Sequence, residues 1–169
     1  MRSIIDTEDP EETSVLGTEG LTPDNNADIL FSHDGSPAAT DDLHPDPVHS
    51  FRLWQIFLDR VNPIIKIVHV PTLQPHLIEI TTDHSNVALN YQALFFGIYL
   101  MASISLLDHE SMQLLGMSRE QAIQKFALGL KQSLVKADFL RNHDMVTLQA
   151  LTFFLVCILL HHCTDLIFH

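Results

Sequence analysis

The chain has 169 residues and a formal net charge of −12, but the charge is unevenly placed: residues 1–50 hold twelve acidic side chains against Arg2 alone (net −11), whereas residues 51–169 hold nine acids against eight bases (net −1). Contacts to phosphate need clustered Lys and Arg, so neither half suits direct nucleic-acid binding. The start Met1-Arg2-Ser3-Ile4-Ile5-Asp6 has no apolar run of signal-peptide length, and two cysteines, Cys157 and Cys163, make no disulfide framework but fit reduced thiols of an intracellular protein.

Residues 1–45 are predicted to be an acidic tail that does not fold by itself. Their apolar residues are sparse and aperiodic, and Gly17, Gly20, Pro23, Gly35 and Pro37 interrupt them, so too little surface can be buried to offset the ordering entropy. Asp28-Ile29-Leu30-Phe31 sets three bulky apolar residues among acids. Its plain reading is a solvated linker; its functional reading is a short acidic-hydrophobic element that docks on partner proteins.

Helical pattern is expected from Asp46-Pro47, an N-cap acid followed by a first-turn proline. Val48, Phe51, Trp54, Leu58 and Val61 keep helical spacing, with Phe57 widening the stripe, while Arg52, Gln55, Asp59 and Arg60 take the opposite face, and Pro63 ends the run. Ile64 to Val70, bracketed by Pro63 and Pro71, reads as extended, and Thr72 is positioned to cap a short helix through about Ile80. Thr81 to Asn86 is a polar break.

Val87 to Leu107 carries no charge, long enough to raise a membrane span. Asn90, Gln92, Ser103 and Ser105, with Asp108 and Glu110 directly following and no basic cluster at either end, favour instead a helix buried nearly all round. Ser118 and Gln121 form a capping box ahead of Ala122, Phe126, Leu130 and Leu134, which Gly129 slightly weakens; Lys125, Lys131 and Lys136 mark its outer face. Asp138 to Asn142 reads as a turn. Asp144 then caps a last apolar element through about Leu159, too short and too marked by Thr and Gln for a span. No strand alternation or solenoid repeat is sustained, so the class is all-α: an irregular domain of about five helices.

Little in the sequence suggests chemistry. His161-His162-Cys163 with Asp165 and His169 is the densest group of metal-ligand types, but adjacent histidines on a helix diverge by about 100°, whereas ligands on one helix sit three or four apart. His69 between Val68 and Val70 reads as a packed residue rather than a general base. No nucleophile elbow, phosphate loop or His-Glu-x-x-His pair occurs.

The stretch Leu53-x-x-x-Phe57-x-x-x-Val61-Asn62-Pro63-x-x-x-Ile67-Val68-His69-x-Pro71-Thr72 resembles the opening of the middle regulatory region of fungal binuclear zinc-cluster transcription factors. The later Ala93-Leu94 to Ala102-Ser103 helix, Ala122-x-x-x-Phe126 and Thr147-Leu148-Gln149-Ala150-Leu151 fit the same pattern, so the resemblance covers about residues 44–160. It implies that residues 46–169 are the N-terminal part of a larger helical regulatory domain. Leu53, Trp54, Phe57, Val61, Pro63, His69, Pro71, Thr72, Gln149 and Leu151 are then architectural residues. The function implied is non-catalytic transcription regulation in the nucleus through protein partners, the transcription machinery or a second copy, with no membrane contact.

The family's six-cysteine zinc module and its basic stretch have no counterpart before residue 50, so neither zinc nor DNA contact carries over to any residue. The family's region also continues past the Gln-Ala-Leu helix, which points to a truncated product or a shortened gene model and, with it, to low solubility, molten behaviour or self-association. The alternatives are a helical adaptor or dominant-negative regulator and, further off, a helical enzyme or metal protein.

Overall fold

The computed structural model describes residues 40–141 and 144–167, with side chains over residues 42–141 and 144–160. Among the described residues there are six α-helices and no strand: α1 (Pro47–Ile56), α2 (Val70–Thr82), α3 (Leu89–Ser105), α4 (Asp108–Leu115), α5 (Arg119–Lys136) and α6 (Met145–Ile167). The fold is all-α, and α3 is its axis. Unbroken burial from Gln92 to Ser103 reflects packing against α5, α6, α1 and the turn that follows α1.

A helix with no charged position has no face to give to water, which is why the chain wraps it. Two of its buried polar residues are satisfied locally: Gln92 Nε2 donates to the carbonyls of His84 and Val87, both at 2.8 Å, and the Ser103 hydroxyl to that of Tyr99. No helix among the described residues is long and apolar enough to cross a membrane.

Two glycines set how closely the helices approach. A Cβ on Gly129 would lie 2.5 Å from the Phe96 ring, and one on Gly97 3.0 Å from Phe153, so α5 and α6 both lie against α3 through positions where an added Cβ would crowd the facing ring. Gly129 is therefore more than the minor helix weakener its propensity suggests.

One element precedes the expected helix start at Asp46. A short 3₁₀ turn, Thr40–Leu43, packs on α5 with Leu43 buried. Asp46 and Pro47 do open α1, but the Asp46 side chain makes no capping bond; its carbonyl accepts from Ser50 N–H instead. Past Ile56 the helix widens into a π turn, Phe57–Val61, whose wider winding keeps Phe57 and Val61 both inward.

α2 begins at Val70, two residues before the expected Thr72, because Pro71 needs no N–H partner in a first turn; the N-cap position falls to His69. The helix also continues to Thr82, shortening the polar break to a 3₁₀ turn, His84–Asn86. The sixth helix, α4, had no expected counterpart. It ends at Gly116, whose φ of +70° a Cβ would oppose.

The capping box of α5 is formed on both sides: Ser118 N–H donates to Gln121 Oε1 at 3.0 Å, and Gln121 N–H to Ser118 Oγ at 3.2 Å. Asp144 caps α6 through Thr147, and that helix runs to Ile167, eight residues past the expected Leu159.

Candidate interaction surface and the motif core

The ten motif residues fall into three groups. Leu53, Trp54, Phe57 and Val61 are buried, and they organise the aromatic centre. Phe57 meets Phe153 of α6 edge-on at 5.9 Å, Trp54 lies over Phe57 at 6.1 Å, and Trp54 reaches Phe95 of α3 at 6.2 Å. The sequence Trp54-x-x-Phe57 thus joins α1 and the π turn to α3 and α6, and Phe95, Tyr99 and Phe126 extend the cluster. Burial pushes the Tyr99 phenol above its usual value, keeping it neutral in the core.

Pro63, His69, Pro71 and Thr72 form the second group, and all four are exposed. His69 Nδ1 lies 2.7 Å from Thr72 Oγ1, so the side chain closes the first turn of α2 on itself. It is not the packed residue expected from its apolar neighbours: the segment is solvent-edged, and only Val68 beside it is buried. Gln149 and Leu151 are half-buried, and Gln149 connects α6 to this segment, its Nε2 donating to the Ile67 carbonyl at 2.7 Å.

A second site, absent from the motif, lies where α3 ends. The Arg60 guanidinium grips Glu110 of α4 with two bonds, 2.7 and 2.9 Å, and donates to the Ser105 carbonyl at 3.0 Å. Glu110 also accepts from Leu107 N–H at 2.8 Å. Bonded by Arg60 first and by Leu107 second, the Glu110 carboxyl is held at about 2. Arg119 donates to the Ile104 carbonyl at 2.9 Å, so two cations face the negative end of α3. Arg52 reaches the Leu114 carbonyl. The arginines expected on a plain solvent face thus hold α4 in place.

Burial pushes the Cys157 thiol up, away from the reactive thiolate. The described residues contain no group of three metal-ligand side chains, and the side chains of His161, His162, Cys163, Asp165 and His169 lie outside them. Two cysteines do not fit a six-cysteine, two-zinc cluster.

Apolar exposure is the stronger feature. Met145 (68% exposed), Leu148, Thr152, Leu155 (51%) and Leu159 (64%) follow a 3-4-3-4 spacing, which sets them on one exposed stripe of α6.

The sequence matches a defined class of proteins. It is 48% identical over 160 residues to the pyriculol/pyriculariol biosynthesis cluster transcription factor 1 of Pyricularia oryzae, which covers 92% of this chain and 21% of that protein. It is 39% identical to the transcriptional regulator AacuB of Aspergillus aculeatus (79% and 18%) and 37% identical to the aurofusarin cluster transcription factor aurR2 of Gibberella zeae (93% and 23%).

The chain is thus homologous to a segment of fungal pathway-cluster transcription factors and spans about a fifth of their length. No protein-family model and no solved structure matches it. The first match leaves only 8% of the 169 residues uncovered, about 14, so it takes in most of residues 1–45 along with the helices.

Proposed function

We propose that this chain regulates transcription as a non-catalytic helical segment acting through protein contacts in the nucleus, with no zinc and no DNA contact of its own. The observation that carries the reading is the apolar seam of α6 on a segment otherwise shared with fungal transcription regulators. An uncharged, helically spaced stripe offers a partner helix desolvation and no chemistry. The charge balance of residues 51–169 supports the absence of direct DNA contact.

The test is substitution of Leu148, Leu155 and Leu159 by Gln in the chain, with helix content checked by circular dichroism. Loss of self-association or of coactivator capture, with helicity kept, supports an interaction segment; unchanged association places the contacts elsewhere and overturns it.

A further inference from the structure

Helix α6 turns one side to the core and leaves the other open. Thr147, Ala150, Phe153 and Cys157 are buried, while Met145, Leu148, Thr152, Leu155 and Leu159 stay exposed on the opposite side. No charged side chain occurs from Met145 to Leu160. The two polar side chains on or beside the open face are already engaged: the Thr152 hydroxyl donates to the Leu148 carbonyl, and the Gln149 amide to the Ile67 carbonyl, both at 2.7 Å. The stripe can therefore lose its water with its one hydroxyl still bonded. Its order is also self-complementary. Counted from Thr152, the smallest member, leucines stand at −4 and +3, and Met145 and Leu159 at −7 and +7.

We propose that a second copy of this chain covers the stripe, the two α6 helices running antiparallel and crossing at Thr152. This pairing rests on the reading of α6 as an interaction surface and supplies the partner. A two-fold axis at Thr152 sets Leu148 against Leu155 of the second copy and Met145 against its Leu159, so one isologous contact fills both stripes. The short Thr152 side chain lets the helices approach where they cross, and the longer side chains fill the space as the axes diverge. Antiparallel order opposes the helix dipoles and sends the two Asp144 caps to opposite ends of the contact; parallel order would set those carboxylates side by side. Met145 to Leu159 spans roughly 21 Å at 1.5 Å per residue. A strip of that length, one helix wide, falls below the roughly 800 Å² per partner of a standard interface, which makes the dimer weak and reversible.

Sedimentation equilibrium of the full chain from about 1 to 100 μM tests the pairing. A monomer–dimer equilibrium is expected. Leu148→Lys and Leu155→Glu should each weaken it about tenfold or more, by setting an unpaired charge against a leucine, with helix content unchanged by circular dichroism. Leu148→Lys/Leu155→Glu should recover most of that loss at low salt and forfeit the recovery near about 1 M salt. Each introduced lysine then faces the introduced glutamate of the other copy, whereas within one helix the two stand seven residues and about 10 Å apart, too far to pair. A wild-type chain that is monomeric at every concentration, an open series of larger species, or a double variant no tighter than the single ones overturns the pairing. A monomeric wild type whose Leu148→Gln/Leu155→Gln/Leu159→Gln variant still loses coactivator capture overturns the dimer and leaves the interaction surface standing. A triple variant that dimerises like the wild type overturns both.

Discussion

Gln149 donates its side-chain amide to the Ile67 carbonyl at 2.7 Å across 82 residues of sequence, joining the last helix to the strand-like link between α1 and α2. That link has few backbone partners of its own, so one side chain from α6 fixes where it lies. Gln149→Leu keeps the size and removes the donor. It should lower stability by about 1 kcal/mol, the net value of a single hydrogen bond, seen as a lower urea midpoint at unchanged slope.

Gly129→Ala separates propensity from packing. In an open helix the change would stabilise by up to about 1 kcal/mol. Here the added methyl would sit 2.5–2.8 Å from three atoms of the fully buried Phe96 ring, and overpacking of that kind costs about 1–3 kcal/mol. A net loss is expected in chemical denaturation, with partial recovery in Gly129→Ala/Phe96→Leu. A more stable single variant would show that the ring moves aside freely.

The Arg60–Glu110 pair gives a pH signature with a fixed sign. Because the Glu110 carboxyl is held below its ordinary 4.5, at about 2, its contribution to stability is complete above pH 4.5 and disappears as pH falls through 2. Both groups are partly solvated, so the effect should be modest and weaken with salt. Comparison of melting temperatures with Glu110→Gln checks it: the wild-type advantage at pH 7 should shrink below pH 4.5 and be gone near pH 2.

Much of this fold is legible locally, and the exceptions have a common cause. The capping box at Ser118 and Gln121, the Asp144 cap and the uncharged helix from Val87 all express themselves within a few residues. Helix α4 does not: Asp108–Leu115 is eight residues long, and it is held by Arg60 and Arg52 from 50 and 62 residues away. Gly129 looked like a weak spot for the same reason, since its partner Phe96 lies on another helix. The helical spacing after Pro47 marks Trp54, Phe57 and Val61 as inward but also Val48 and Phe51, which are exposed because the start of α1 has no helix packed over that face, and the exposure of His69 depends on where α2 starts.

Asp144 connects two helix starts, and its removal should be felt at both. It accepts from Thr147 N–H at 2.9 Å and from the Thr147 hydroxyl at 2.6 Å, closing the first turn of α6, and from Asn90 Nδ2 at 3.3 Å at the head of α3. Burial alone would raise its carboxyl; the bonds from Thr147 and Asn90 outweigh that and leave it lowered. Asp144→Ala should cost about 1 kcal/mol, within the usual range for a lost cap. Asp144→Asn retains an acceptor and should recover most of that. Because α6 carries the exposed apolar seam, the loss should also appear as faster amide exchange at Thr147 and Leu148, ahead of global unfolding. Exchange there at the wild-type rate would show that packing on α3, rather than the cap, holds the first turn of α6.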